Sequence, residues 1–177
     1  MKVPFVLSVA MLATSIVVAS GRTPGQAQTA KPPAAQAASP ATAMSMSDAE
    51  LEKIGEPLVT KVCTKACHGI EEIEAMRRSR TEWNVQVREM INKGAEATPA
   101  DQALIKKYLT RYYGFVTVNT AAADEIAEVL GLSAKDASAI VAYRTANGKF
   151  ADVDALKKVP GIDLAKIDEQ PAALRFK

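Results

Sequence analysis

The chain of 177 residues has two cysteines and one histidine, and all three fall in Cys63-Thr64-Lys65-Ala66-Cys67-His68. Thiols this close to an imidazole suit covalent attachment of a porphyrin. Each thiol adds to a vinyl group, and the histidine directly after the second thiol binds the iron. The usual spacing leaves two residues between the thiols, whereas Thr64, Lys65 and Ala66 intervene here. On a helix this gap sets the sulfurs about one turn apart on one face, within reach of neighbouring vinyl groups. Other chemistry uses the same residues. A Cys63–Cys67 disulfide suits an oxidising compartment, although helical i,i+4 spacing lies near the upper Cα separation for a bridge. Zinc asks for about four protein ligands, or three and a water, and here three crowd into one short segment. Two buried structural thiols are the plainest alternative.

A single histidine rules out bis-histidine ligation of an iron within the chain, so methionine is the next candidate. Met44 and Met46 lie in or beside a Pro/Ala-rich stretch, which leaves Met76 and Met90. Met90 shares an apolar stripe with Trp83 and is the expected distal ligand; an open site, a Lys or Tyr ligand, or plain core filling by Met90 are the alternatives. There is no second histidine for acid–base work and no Ser-His or Cys-His base pair. The expectation is electron transfer by one covalent haem c, without catalysis. Glu71, Glu72 and Glu74 read as a solvated face. So do Arg77, Arg78 and Arg80, unless one pairs with a haem propionate.

Helix signals position these residues. Ser47-Asp48-Ala49-Glu50 is a capping box that opens a helix to about Val62, with Leu51, Ile54, Leu58 and Val62 on its apolar face. Thr81 is the expected cap of a second helix over 82–93, with Trp83, Val87, Met90 and Ile91 inward and Gly94 ending it. Thr98-Pro99 opens a third, which carries Leu104, Ile105, Tyr108 and Leu109 inward and stops near Gly114. From about Phe115 a second unit follows. Asn119 or Thr120 caps a helix to Leu130, Ser133 caps another to about Ala146, and shorter helices cover 153–158 and 164–168. Asp124, Ile126, Val129, Gly131 and Leu132 recur 30 positions later as Asp154, Leu156, Val159, Gly161 and Ile162. Each copy is a helix, a Gly-containing hairpin and a second helix, and the two halves are expected to pack on each other.

The N-terminus reads as an export signal. Lys2 precedes an apolar run over 3–19, and small residues suited to cleavage end at Ala19 and Ala27. An uncleaved anchor is the alternative, since the run is near the lower length for spanning a bilayer. Residues 28–46 are rich in Pro, Ala, Gln and Thr and form a linker that cannot bury enough surface to fold. Lys2 and Arg22 go with the leader, so 22 basic residues become 20 against 20 acidic ones. Bulk charge therefore gives no argument for nucleic acid. Hydrophobic content of 48% with 24% charge is that of a globular chain.

Two resemblances follow from these residues. The segment from about Leu51 to Gly114 resembles the small cytochrome c domains of quinohaemoprotein amine dehydrogenase-type proteins. The shared features are the Cys-Cys-His cluster, Arg78-Ser79-Arg80-Thr81-Glu82-Trp83, Met90 with Gly94-Ala95, and the Tyr108-Leu109 helix. The resemblance implies His68 as proximal and Met90 as distal iron ligand, with Cys63 and Cys67 holding the haem. The extra residue between the thiols departs from that pattern. The stretch from Val118 to about Ile167 is similar to the helix-hairpin-helix domain of competence-type DNA receptors. It shares Val118-Asn119-Thr120-Ala121, Ile140-Val141-Ala142-Tyr143-Arg144, Asn147-Gly148-Lys149-Phe150 and Val159-Pro160-Gly161-Ile162. That resemblance implies duplex DNA held through backbone amides of a Gly-hydrophobic-Gly hairpin. The candidate contacts are Gly131, Ser133, Lys135, Gly161, Lys157 and Lys158. The second glycine is missing from both hairpins, and Asp163 would repel phosphate.

The expected architecture is all-α: a signal peptide over 1–27, a linker over 28–46, a cytochrome c-like haem domain over 47–114 and a tandem helix-hairpin-helix domain over 115–177. The expected function is a periplasmic mono-haem electron carrier with redox partner proteins. Its C-terminal module serves docking or DNA, and no stable membrane span remains after cleavage. The alternative is an exported, non-specific DNA-binding protein whose cysteine pair forms a disulfide.

Overall fold

A computed structural model describes residues 46–64 and 69–177. The leader and nearly all of the linker lie outside them, as do Cys67 and His68. The described residues are mostly helical, as expected of an all-α chain, and no helix among them is long and apolar enough to cross a membrane.

Helix α1, Asp48–Val59, starts at the capping box expected of it. The Glu50 amide donates to Ser47 Oγ at 3.3 Å, and the Ser47 amide donates to Glu50 Oε2 at 2.9 Å. Its inward face is the expected one in part, since Leu51 is buried and Leu58 and Val62 pack against the core. Leu51, Gly55 and Val59 point inward while Ile54 is 44% exposed. The reason is Gly55: a Cβ there would stand 2.5 Å from Tyr108 Cδ2, so the missing side chain seats the Tyr108 ring against the helix. Pro57 lies inside the helix and supplies no amide; beyond it the chain continues as a π-helical turn, Thr60–Thr64.

Helix α2, Ile70–Ala75, is short. Helix α3, Arg80–Asn92, is capped by Ser79, not by Thr81. Ser79 is followed three residues later by Glu82, which closes a reciprocal capping box, whereas Thr81 has Asn84 at that place. Helix α4, Pro99–Tyr113, has Thr98 as its cap and Pro99 at the first helical position, as expected. Strand β1, Val116–Thr117, is followed by α5, Ala123–Leu130; α6, Ala134–Asn147; α7, Val153–Leu156; and α8, Leu164–Glu169. Strand β2, Leu174–Arg175, pairs with β1 in parallel, Val116 opposite Leu174. Two-residue strands carry no alternation for a sequence to display.

Buried side chains form two clusters. One joins Leu51, Val59, Cys63, Ile73, Trp83, Val87, Ile105, Tyr108 and Leu109. The other unites both copies of the repeat: Ile126 with Leu156, Val129 with Val159, and Leu132 with Ile162. The halves share one core, so neither exposes the apolar face it could not bury alone. Neither Asn119 nor Thr120 caps α5. Its N-cap is Ala122, without a side-chain bond. Asn119 instead donates through Nδ2 to the carbonyls of Phe150 at 2.9 Å and Phe176 at 2.6 Å, and its Oδ1 accepts from the Phe150 amide at 2.8 Å.

Candidate functional site

Cys63 sits on the π-helical turn, 2% exposed, as a free thiol in the first hydrophobic cluster. Burial pushes its pKa up to about 11, which leaves it protonated and a poor nucleophile in the folded chain. Cys67 and His68, on which the porphyrin, disulfide and zinc readings depend, lie outside the described residues. Met90 is half-buried and packs against the cluster that holds Cys63 and Trp83. Met76 is 41% exposed, and its sulfur accepts from Arg78 Nη2 at 3.4 Å.

The arginines are not the solvated face expected of them. Arg77 Nη1 donates to the Gly114 carbonyl at 2.9 Å, and the Arg78 guanidinium lies 5.7 Å from the centre of the Trp83 ring. Arg80 reaches α5, where it pairs with Asp124 at 2.7 Å and Glu128 at 3.3 Å. Glu71 and Glu72 are exposed, as expected.

The first hairpin runs Gly131-Leu132-Ser133. Gly131 ends α5 at φ +64°, a left-handed conformation that favours glycine. A Cβ there would also meet the Arg111 guanidinium, 2.6 Å from Nε. Leu132 is buried in the second cluster, and Ser133 caps α6 by accepting from the Asp136 amide at 3.1 Å. The second hairpin has Gly161 at φ +74° with open space around it, then Ile162 in the core. Asp163 caps α8, accepting from the amides of Ala165 at 3.0 Å and Lys166 at 3.3 Å. Its carboxylate thus takes amides that a phosphate would need.

Of the candidate cations, Lys157 is paired with Asp168; nearby, Lys166 pairs with Asp48 at 3.1 Å and Glu169 at 3.3 Å. Lys135 and Lys158 are exposed and form no ion pair among the described residues. A cavity of about 990 Å³ opens between the start of α1 and the first hairpin. Ser133 and Ala134 line it with Lys107, Arg111 and Lys166, and Asp48 and Glu128 offset that positive charge. Burial raises the Glu128 pKa, while the hydrogen bond from Arg111 leads the forces that lower that of Asp48. The sequence reading missed the Asp48, Arg80 and Arg111 contacts, because each residue looks like an ordinary charge on an amphipathic helix.

A family model described as a helix-hairpin-helix motif matches residues 113–174. The chain therefore carries that motif, and the match takes in both hairpins and leaves residues 47–112 outside it. No solved structure matches the chain.

Proposed function

We propose that this is an exported protein whose helix-hairpin-helix motif holds nucleic acid by its phosphates, without sequence preference. The observation that carries the reading is the pair of left-handed glycines, Gly131 and Gly161, each turning one helix into the next over a buried apolar residue. The first hairpin leads into a helix of 14 residues, long enough for a dipole that favours an anion at its start. Ser133 takes one of the leading amides, so those of Ala134 and Lys135 are the donors a phosphate oxygen would meet. Lys135 and Lys158 add charge at the two hairpins. Lys157 and Lys166 are engaged within the protein, so few phosphates are neutralised and the salt dependence is shallow. The test is duplex binding by the full chain across a salt series. A log–log slope of about −2 to −3 is expected, reduced by about one in Lys158→Glu. No duplex binding at low salt refutes the reading.

A second reading, a c-type cytochrome, is favoured by Cys63 and Met90 meeting at one apolar cluster beside Trp83. Cys63 and Cys67 would hold the haem, and His68 and Met90 would bind its iron. The bound group would supply one-electron chemistry, and the cluster would keep water from it. A pyridine haemochrome spectrum and intact mass of protein made with haem-maturation machinery decide it. Colourless protein without added mass refutes it, and a mass lower by two hydrogens marks a Cys63–Cys67 disulfide.

A further inference from the structure

Where β1, β2 and the segment after α6 converge, a groove of about 820 Å³ is lined by Phe115, Phe176, Lys149, Arg175 and Lys177, and no acidic residue lines it. This separates it from the cavity at the first hairpin, where carboxylates offset the cations. The fold holds the groove firmly. Thr117 pairs with Arg175 across the two strands, and Asn119 ties the backbones of Phe150 and Phe176 together from below. Phe150 is buried in its floor, with its ring stacked on Tyr143 at 5.7 Å and 11°. The Arg175 guanidinium lies over the Phe115 ring at 5.1 Å, and its Nη1 donates to the Ala172 and Leu174 carbonyls, both at 2.9 Å. A planar cation fixed on an aromatic ring offers its outer face for stacking. Lys149, exposed at the rim, stands beside that plane as a point charge.

We propose that this groove binds a single-stranded nucleic acid. A base stacks on the Arg175–Phe115 plane or against Phe176, and the backbone phosphates run past Lys149 and Lys177. Stacking faces with cations and no acid suit a flexible polyanion that carries exposed bases, whereas a duplex keeps its bases stacked on each other. None of the residues belongs to either hairpin, so this site goes beyond the duplex contact proposed above and stands or falls apart from it.

The test uses the full chain and three fluorescent probes of about 12 nucleotides: oligo-dT, an abasic strand of equal length, and a duplex. Oligo-dT is expected to bind about tenfold more tightly than the abasic strand, because only stacking distinguishes them. Phe176→Ala and Lys149→Glu should each weaken oligo-dT about five- to tenfold and change duplex affinity less than twofold. Lys149 is exposed, so its variant tests the site even where Phe176→Ala fails to fold. Equal binding of oligo-dT and the abasic strand overturns the proposal, as does an equal loss for duplex in the groove variants or no binding of oligo-dT at low salt. Lys158→Glu, at the second hairpin, should lower duplex binding alone, which keeps failure of the two sites distinguishable.

Discussion

Asp48 and Arg111, 63 positions apart, form a two-pronged ion pair in which Nε donates to Oδ1 at 3.1 Å and Nη2 donates to Oδ2 at 2.8 Å. Arg111 is held on α4 with its side chain 5% exposed, and its Nη1 also reaches the Val129 carbonyl at 3.4 Å. Lys166 on α8 approaches the same carboxylate. One acid at the start of α1 thus ties together α1, α4 and α8.

Asp48→Ala should destabilise the chain by about 2 kcal/mol, because it leaves a buried guanidinium with one long hydrogen bond. The figure sits below that for a fully buried pair because the Asp48 side chain is 37% exposed and partly screened. Urea unfolding of the full chain measures it. A loss under about 0.5 kcal/mol would show that Arg111 finds water or another partner.

The same pair gives the fold an acid limit. Asp48 has its pKa lowered by the Arg111 hydrogen bond first, against the opposing effect of burial. A carboxylate with a folded pKa below its unfolded value stabilises fully above about pH 4, and that contribution fades as pH falls through the folded value. Stability of the parent chain should therefore drop more steeply below about pH 4 than that of Asp48→Asn. The comparison cancels Asp124, also lowered, and Glu128, which burial raises and which acts in the opposite direction. Parallel pH profiles for the two proteins contradict this account.

The hairpin glycines should respond unequally. Gly161→Ala faces only the cost of a left-handed backbone, about 1 kcal/mol, since nothing stands within 4 Å of the new methyl. Gly131→Ala bears that cost and must also displace Arg111 from its pair with Asp48, for a total of about 3 kcal/mol. Thermal midpoints of the two variants should separate clearly. If they coincide, Arg111 gives way freely and the close approach at Gly131 has no energetic weight.

How much was legible before folding depended on how local each signal was. The Ser47 capping box, the Thr98-Pro99 helix start, the Ser133 cap and the hairpin at Gly131 are set by residues within four positions, and each appears where the sequence puts it. On α1 only Ile54 departs from the expected inward face: it is apolar, whereas Gly55 looks like a weakness. Only the Tyr108 ring, brought from α4, turns that glycine into the packing position. The Arg80 bridge to Asp124 and Glu128 and the groove built by Phe115, Lys149 and Arg175 join residues far apart in the chain. No short-range pattern marks them. The Cys63 to His68 cluster is the reverse case: plain in sequence, with only its first thiol among the described residues.

Asn119 offers the sharpest test of a contact that sequence periodicity hides. Its amide group makes three bonds to backbone, two donated to the Phe150 and Phe176 carbonyls and one accepted from the Phe150 amide. Asn119→Ala removes all three and leaves part-buried backbone groups without partners, at a cost of about 2–3 kcal/mol. Asn119→Asp keeps the acceptor and replaces the donor with a carboxylate oxygen facing two carbonyls, so at neutral pH it should be at least as harmful as alanine. Protonating the new acid restores one donor. The aspartate variant should therefore recover part of its deficit relative to alanine as pH falls toward about 4, and urea midpoints across that range would reveal it. An aspartate variant as stable as the parent at neutral pH would mean that the Phe176 strand end is not held by this side chain.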